Sequence, residues 1–201
     1  MPGLSNKCKA VENALQDKLP RPGDTEVNMT LRVKRAQRGD ADAFVELMEE
    51  HKKAMERVAF GFFKSEEDVA DVMQQTVLDA FEHLKELKNA KYFKTWLIRI
   101  LINNCNRMYN SYQRSLVMEE VPVSGVWEDD FAGQEFRDMI SSLPEDSRLI
   151  FQLYYGEEFT TKEIALIMEM KENTVKSRLH RGKEIIRQEL QAEGTVRAFT
   201  R

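Results

Sequence analysis

Apolar residues in this chain recur at three- and four-residue intervals, a spacing that an α-helix satisfies and a strand does not. Phe44, Leu47, Met48, Met55, Val58, Ala59 and Phe62 fall on one face of a predicted helix from about Ala41 to Phe63, with Asp40 as its cap. Val69, Val72, Met73, Thr76, Val77, Ala80, Phe81 and Leu84 repeat the pattern behind Ser65-Glu66-Glu67-Asp68. That tetrapeptide resembles a capping box, with Asp68 where Glu or Gln is usual. After a short polar loop, Leu87 to Lys91, a third helix is predicted from about Phe93 to Tyr112. Only 9 Gly and 5 Pro interrupt 201 residues and β-branched runs are scarce, so the predicted fold is all-α.

The pattern lapses twice. Residues 1–29 mix Pro, Gly, Asn and charge, and read as a disordered or weakly helical extension, with a short helix at most from Lys9 to Leu19. Met29 is a candidate start. Ser115 to Gly133 carries Pro122, Gly125 and the acidic run Glu128-Asp129-Asp130, and reads as a linker. Beyond it a short helix is expected from Gln134 to Ser142. Pro144 then suits the first position of a helix ending at Gly156, with Glu145 and Asp146 at its positive pole. Thr160 and Glu163 form a second capping box, and a last long helix starts near Asn173 and fades toward Gly194. The expected organisation is two small helical domains joined by an acidic flexible linker: residues 30–112, linker 113–133, domain 134–192 and tail 193–201.

Several function classes are excluded at this stage. The most apolar segment, Trp96 to Ile102, contains Arg99 and falls far short of the roughly 20 residues a membrane span needs. No signal-peptide pattern opens the chain, so a cytoplasmic protein with no membrane insertion is expected. Cys8 and Cys105 are isolated and read as free thiols. His51, His83 and His180 lack paired ligand spacing, so neither zinc nor triad chemistry is indicated, and no metal or cofactor is expected.

The net charge of −4 conceals segregation. From Lys88 to Arg114 there are six bases and no acid; from Lys171 to Arg187 there are six bases against two acids. From Lys64 to Leu87 there are two bases against seven acids, and from Ser115 to Asp146 one against nine. Two basic islands predict two contacts with a polyanion, because the placement of cations, more than total charge, sets affinity for phosphate.

The C-terminal island lies in Thr161 to Lys183, which has the layout of a helix-turn-helix. Ala165 is the small residue where two helices can cross. Ile164, Met168, Val175 and Leu179 face inward, while Thr174, Lys176, Ser177, Arg178 and Arg181 face outward. The second helix would enter a major groove with its N-terminal residues, and Arg181 and Lys183 lie further along, toward phosphate. A helical hairpin with a solvated basic face is the plainer reading of the same pattern. The other island interleaves Tyr92, Phe93, Lys94, Trp96, Arg99, Asn103 and Arg107. Aromatics beside a cationic track can hold single-stranded nucleic acid, each stacked base contributing about 1–3 kcal/mol. The same spacing serves simple packing of Trp96, Leu97, Ile100 and Leu101, and the residues alone leave both readings open.

Taken together, RAQRGDADAF (Arg35 to Phe44), EEDVADVMQQTVLDAF (Glu66 to Phe81) with YFKTWLIRILINNC, and LPEDSRLIFQLYY (Leu143 to Tyr155) with EIALIMEMKENTVKSRLHRGK resemble the extracytoplasmic-function group of bacterial sigma factors. The resemblance spans nearly everything from residue 31 to 190. It implies a transcription initiation factor, not an enzyme, that binds core RNA polymerase and promoter DNA, both duplex and single-stranded, in an envelope or stress response. The helix bearing Asp68, Asp71, Gln74, Gln75, Leu78 and Phe81 would dock on the polymerase clamp helices. Lys88, Asn89, Lys91, Tyr92, Phe93, Lys94, Trp96, Arg99, Asn103 and Arg107 would take the minus-ten element, with extruded bases whose unstacking costs a few kcal/mol. Asn173, Thr174, Lys176, Ser177, Arg178 and Arg181 would read the minus-thirty-five element. The family also implies an anti-sigma partner, often membrane-anchored.

Two departures stand out. The family's turn carries Gly where Glu169 and Asn173 stand, and a non-Gly residue in a left-handed conformation costs on the order of 1 kcal/mol. Two rivals remain. A helix-turn-helix regulator without sigma activity would want a different upstream domain. An all-helical Mg-dependent nucleotide pyrophosphatase would use Glu66, Glu67, Asp68 and Asp71. It would also need a facing carboxylate cluster, which Glu46, Glu49 and Glu50 match poorly in spacing.

Overall fold

The computed structural model describes residues 22–115, 136 and 138–199. Seven α-helices lie among them: α1 (Pro22–Gln37), α2 (Ala41–Phe60), α3 (Glu66–His83), α4 (Phe93–Ser115), α5 (Glu145–Phe151), α6 (Thr161–Ile167) and α7 (Glu172–Phe199). No strand occurs among the described residues. The possible helix from Lys9 to Leu19 and nearly all of the expected linker lie outside them.

α1 begins at Pro22, inside the stretch expected to be an unstructured extension. Proline suits a first helical position, and tertiary contact holds the helix: Val33 is fully buried and Met29 packs against the core. Gly39, at φ +96, makes the turn into α2. Asp40 then caps α2 as expected, accepting from the Ala43 N–H at 3.0 Å and from Arg35 Nε at 2.8 Å. Both bonds favour the ionised carboxyl, the backbone donor foremost, and hold its pKa below the usual aspartate value. α2 stops at Phe60, three residues early, because the Gly61 and Phe62 N–H groups turn back to Val58 and Ala59. The turn tucks Phe63 into the core.

A buried polar network clamps α3 to α4. Thr76 Oγ1 donates to the Val72 carbonyl at 2.7 Å and accepts from Asn104 Nδ2 at 3.1 Å. Asn104 also donates to Asp79 at 2.9 Å. Between these helices Gln37 reaches from α1 to the carbonyls of Leu84 and Leu87, fixing the loop. Asn89 then caps a short 3₁₀ turn, Ala90–Tyr92, that feeds α4.

In the C-terminal half residues 138–140 are helical, within the stretch expected to be. Pro144 is the extended residue before α5 and not its first helical one. α5 is α-helical for seven residues, then widens into a π turn over Gln152–Gly156. The Thr160–Glu163 capping box forms in both directions. α7 continues through Gly194 to Phe199, past the tail boundary expected at 193.

The two halves do not stand apart. One continuous apolar cluster runs from Val33 to Ile186, and α4 packs on α6. The tethered-domain picture drawn from the sequence contained no such docking.

Candidate polymerase and nucleic-acid interface

Three surfaces carry the candidate residues. The first is the outer face of α3. Val69, Val72, Thr76 and Ala80 turn inward, which leaves Asp71, Gln74, Gln75, Leu78 and Phe81 outside, with Asp68 half-buried. Leu78 is 52% exposed and Phe81 62%, although water is a poor environment for either. Phe81 is braced edge-on by Phe44 at 5.2 Å between ring centroids. Exposed apolar side chains ringed by acid and amide are the composition of a docking site.

The second surface is the entry to α4. Lys88, Asn89, Lys91, Tyr92, Arg99, Asn103 and Arg107 are exposed, and Trp96 is half-buried. Phe93 must leave the set of base-stacking candidates. Its ring is fully buried, 5.4 Å from His51 and 5.8 Å from Trp96, so it packs the helix and cannot meet a base. Periodicity could not separate Phe93 from Tyr92 because adjacent residues at a helix start both border the core edge. Arg107 lies 4.0 Å from Asp79, and Arg99 pairs with Glu169. Lys94 donates from Nζ to the Glu157 carbonyl at 2.7 Å and sits 4.6 Å over the Phe159 ring.

The third surface is α7, the second helix of the helix-turn-helix. Ile164 and Val175 are fully buried and Leu179 nearly so, with Ala165 and Met168 partly covered, which is the inward set that the sequence predicts. Lys176, Ser177, His180 and Arg181 line a shallow outer groove. Arg178 is half-buried; its Nη1 lies 3.0 Å from Asp146, near enough for an ion pair but outside hydrogen-bond geometry. Thr174 is half-buried and Asn173 exposed at the helix start. Lys183 lies 5.7 Å over the Tyr155 ring, which ties it to the C-terminal core edge.

The turn bears out one of the two glycine departures. Glu169 is left-handed at φ +51, while Asn173 lies within α7 and needs no such conformation. A second left-handed residue, Glu158 at φ +60, has no counterpart in the sequence reading.

Two supporting residues also escaped that reading. Gly182 lies where α7 crosses α5, and a Cβ there would fall 2.4 Å from Phe151 Cε2. Glycine inside a helix, on a face that otherwise reads apolar, was the available signal. Glu172 ties the two helices of the motif, accepting from Lys176 at 2.8 Å and from Thr161 at 2.9 Å. These bonds, that of Lys176 foremost, hold its pKa below the usual glutamate value.

The same division appears in known proteins. Residues 47–115 match the family model for Sigma-70 region 2, and residues 133–186 match that for Sigma-70, region 4. The chain is 26% identical to the RNA polymerase sigma factor SigV of Bacillus subtilis over 147 residues, covering 72% of this chain and 89% of that protein. It is 25% identical to the ECF RNA polymerase sigma factor SigW of the same organism over 183 residues, covering 82% and 98%. It is 28% identical to the ECF RNA polymerase sigma-E factor of Escherichia coli over 177 residues, covering 79% and 92%. Among solved structures, CnrH in complex with the cytosolic domain of CnrY aligns with a TM-score of 0.63 at 22% identity, covering 82% of this chain and 97% of that one. RpoE from Bartonella quintana, in complex with the anti-sigma factor NepR, aligns with a TM-score of 0.61 at 20% identity, covering 74% and 96%. Both share the fold.

Proposed function

This chain belongs to the sigma-70 family of transcription initiation factors, in its extracytoplasmic-function group, and we propose a division of its work among the three surfaces. The outer face of α3 docks on core RNA polymerase. The start of α4, with Tyr92, Trp96 and the cations around them, takes the minus-ten element as the duplex opens. The exposed side of α7 reads the minus-thirty-five element as duplex. The observation that supports this most is the juxtaposition on α3 and α4. An acidic helix exposes Leu78 and Phe81, while the helix clamped to it through Asn104 exposes bases and an aromatic ring.

The chemistry is binding alone: free energy from docking on polymerase and from stacking on extruded bases offsets the unstacking cost of a few kcal/mol. The cytoplasm is the compartment where polymerase and DNA are met, and no described helix is long and apolar enough to cross a membrane. CnrH and RpoE are each held by another protein, and we extend to this chain an anti-sigma partner and a role in an envelope or stress response.

Reconstitution with core polymerase tests the assignment. Phe81→Ala is expected to weaken core binding by at least about 30-fold, the effect of removing an interface anchor of about 2 kcal/mol. Arg178→Ala is expected to leave core binding intact and reduce transcript only from templates with a minus-thirty-five element. Core binding lost through Arg178→Ala and kept through Phe81→Ala would overturn the assignment.

A further inference from the structure

A third group of cations closes α1. Arg32, Lys34, Arg35 and Arg38 follow one another with no acid among them, and none belongs to the three surfaces described above. Leu31, Lys34, Arg35 and Arg38 recur at three- and four-residue spacing, which puts them on one stripe of the helix. Arg38 stands just beyond α1, but its N–H bonds to the Arg35 carbonyl at 3.0 Å, so it stays in line with the stripe. Val33 and Ala36 on the other side are buried in the core. With Asn28 and Arg32, the stripe lines a shallow outer groove.

Half of this charge is already neutralised within the fold. Arg32 pairs with Glu50 at 2.6 Å and Arg35 with Asp40 at 2.7 Å. Lys34 and Arg38 are exposed, and among the described residues neither side chain has an ion-pair or hydrogen-bond partner. Leu31 beside them is 57% exposed. The place of the stripe gives these residues a context. Gln37, one turn after Lys34 and next to Arg38, donates to the carbonyls of Leu84 and Leu87 at 2.9 and 2.8 Å. α1 also packs on the 3₁₀ turn Ala90–Tyr92. The stripe is thereby fastened beside the loop that carries Lys88, Asn89, Lys91 and Tyr92, all of them exposed.

We propose that the outer stripe of α1 continues the single-strand track beyond the minus-ten element, with Lys34 and Arg38 each taking one backbone phosphate of the flanking nucleotides and Leu31 lying against a sugar between them. Contacts to phosphate position a strand and carry no sequence information of their own, so the stripe adds affinity for the opened strand whatever its flanking bases. Unpaired cations continuous with a nucleic-acid surface favour this occupant over an acidic face of polymerase. The inference rests on the minus-ten assignment above for the strand that reaches α1.

The test uses the full chain assembled with core polymerase. Fluorescence anisotropy follows labelled single strands carrying the minus-ten element of a promoter the holoenzyme transcribes, either alone or extended by six thymidines at the 5′ or the 3′ end. Lys34→Ala combined with Arg38→Ala is expected to weaken binding of one extended strand and to lower its log–log salt slope by about 1.4, two phosphates at about 0.7 each. Between 1 M and 0.1 M salt that slope difference amounts to about 25-fold in affinity. The unextended strand should change less than about twofold. Lys34→Arg with Arg38→Lys should restore the extended strand, because phosphate requires the charge and not a particular side chain. Both side chains are exposed, and circular dichroism checks that the helix persists. An unchanged salt slope on both extended strands, or an equal loss on the unextended one, overturns the inference. Loss of core binding instead would put the stripe against polymerase and overturn it as well. If Tyr92→Ala leaves the unextended strand as tightly bound as before, the minus-ten assignment fails, whatever α1 does to the extended strands.

Discussion

Gly182→Ala should damage this protein out of proportion to the single carbon it adds. The new Cβ would lie 2.4 Å from Phe151 Cε2, 2.7 Å from its Cζ and 3.4 Å from Leu143 Cδ1. Phe151 is 1% exposed and borders Tyr155, so its ring has no open space to swing into. Overpacking of this kind costs about 1–3 kcal/mol. Alanine is the better helix former by up to about 1 kcal/mol, which offsets part of that cost. The expected net loss is about 1–2 kcal/mol. With an m-value of about 2 kcal/mol per molar urea, the unfolding midpoint falls by about 0.5–1 M with m unchanged. Relief of the clash moves α7 away from α5, so minus-thirty-five-dependent transcription should fall with stability. Gly156→Ala is the control. There the nearest atom to an added Cβ is Gln152 Cγ at 3.8 Å, an ordinary contact, and stability is expected to hold or rise by about 0.5 kcal/mol. A Gly182→Ala midpoint equal to or above that of the unaltered protein would refute the crossing geometry.

Thr160→Ala removes the side chain that closes the α6 cap, and should cost about 1 kcal/mol in urea unfolding; no loss would show that the cap is idle. Burial pushes the Cys105 thiol up to about 12. In a Cys8→Ser background a thiol–disulfide exchange reagent at pH 8 should therefore leave the folded protein unlabelled and label one thiol after denaturation. Rapid labelling before denaturation would contradict the packing. His51 is buried, donates from Nδ1 to the Leu47 carbonyl at 2.9 Å and meets Phe93 edge-on. Desolvation lowers its pKa below the ordinary histidine value of 6.5. The folded state thus holds it neutral while the unfolded chain protonates, so its contribution is full above pH 6.5 and is lost as pH falls toward the lowered value. Thermal unfolding from pH 7.5 downward should show a decline that His51→Gln reduces; an identical decline in both would remove His51 as its source.

Most of the helices were legible because each has a face whose burial is written in its own spacing. Asp40, Thr160 and Glu163 cap as predicted because a cap needs only neighbours three residues away. The helix-turn-helix was legible for the same reason, its inward and outward sets both lying within 23 residues. Local patterns failed where two segments meet. Phe93 reads as a surface aromatic until His51 and Trp96 close over it. Glu157 is buried because Arg57, one hundred residues away in sequence, supplies its counter-charge. Gly182 lies inside a helix, and only the fold brings Phe151 into the space that a side chain there would fill.

The sequence by itself therefore determined the helical class, the caps at Asp40 and Thr160 and the charge carried by each face, because these depend on interactions across three or four residues. The tertiary structure alone decided which cations remain open to DNA. Lys94 and Arg99 sit on a predicted basic face, and only the docking of α6 against α4 sets acid and carbonyl against them. Charge is a property of the residue, but its availability to a phosphate depends on what else the fold has brought within a few ångströms.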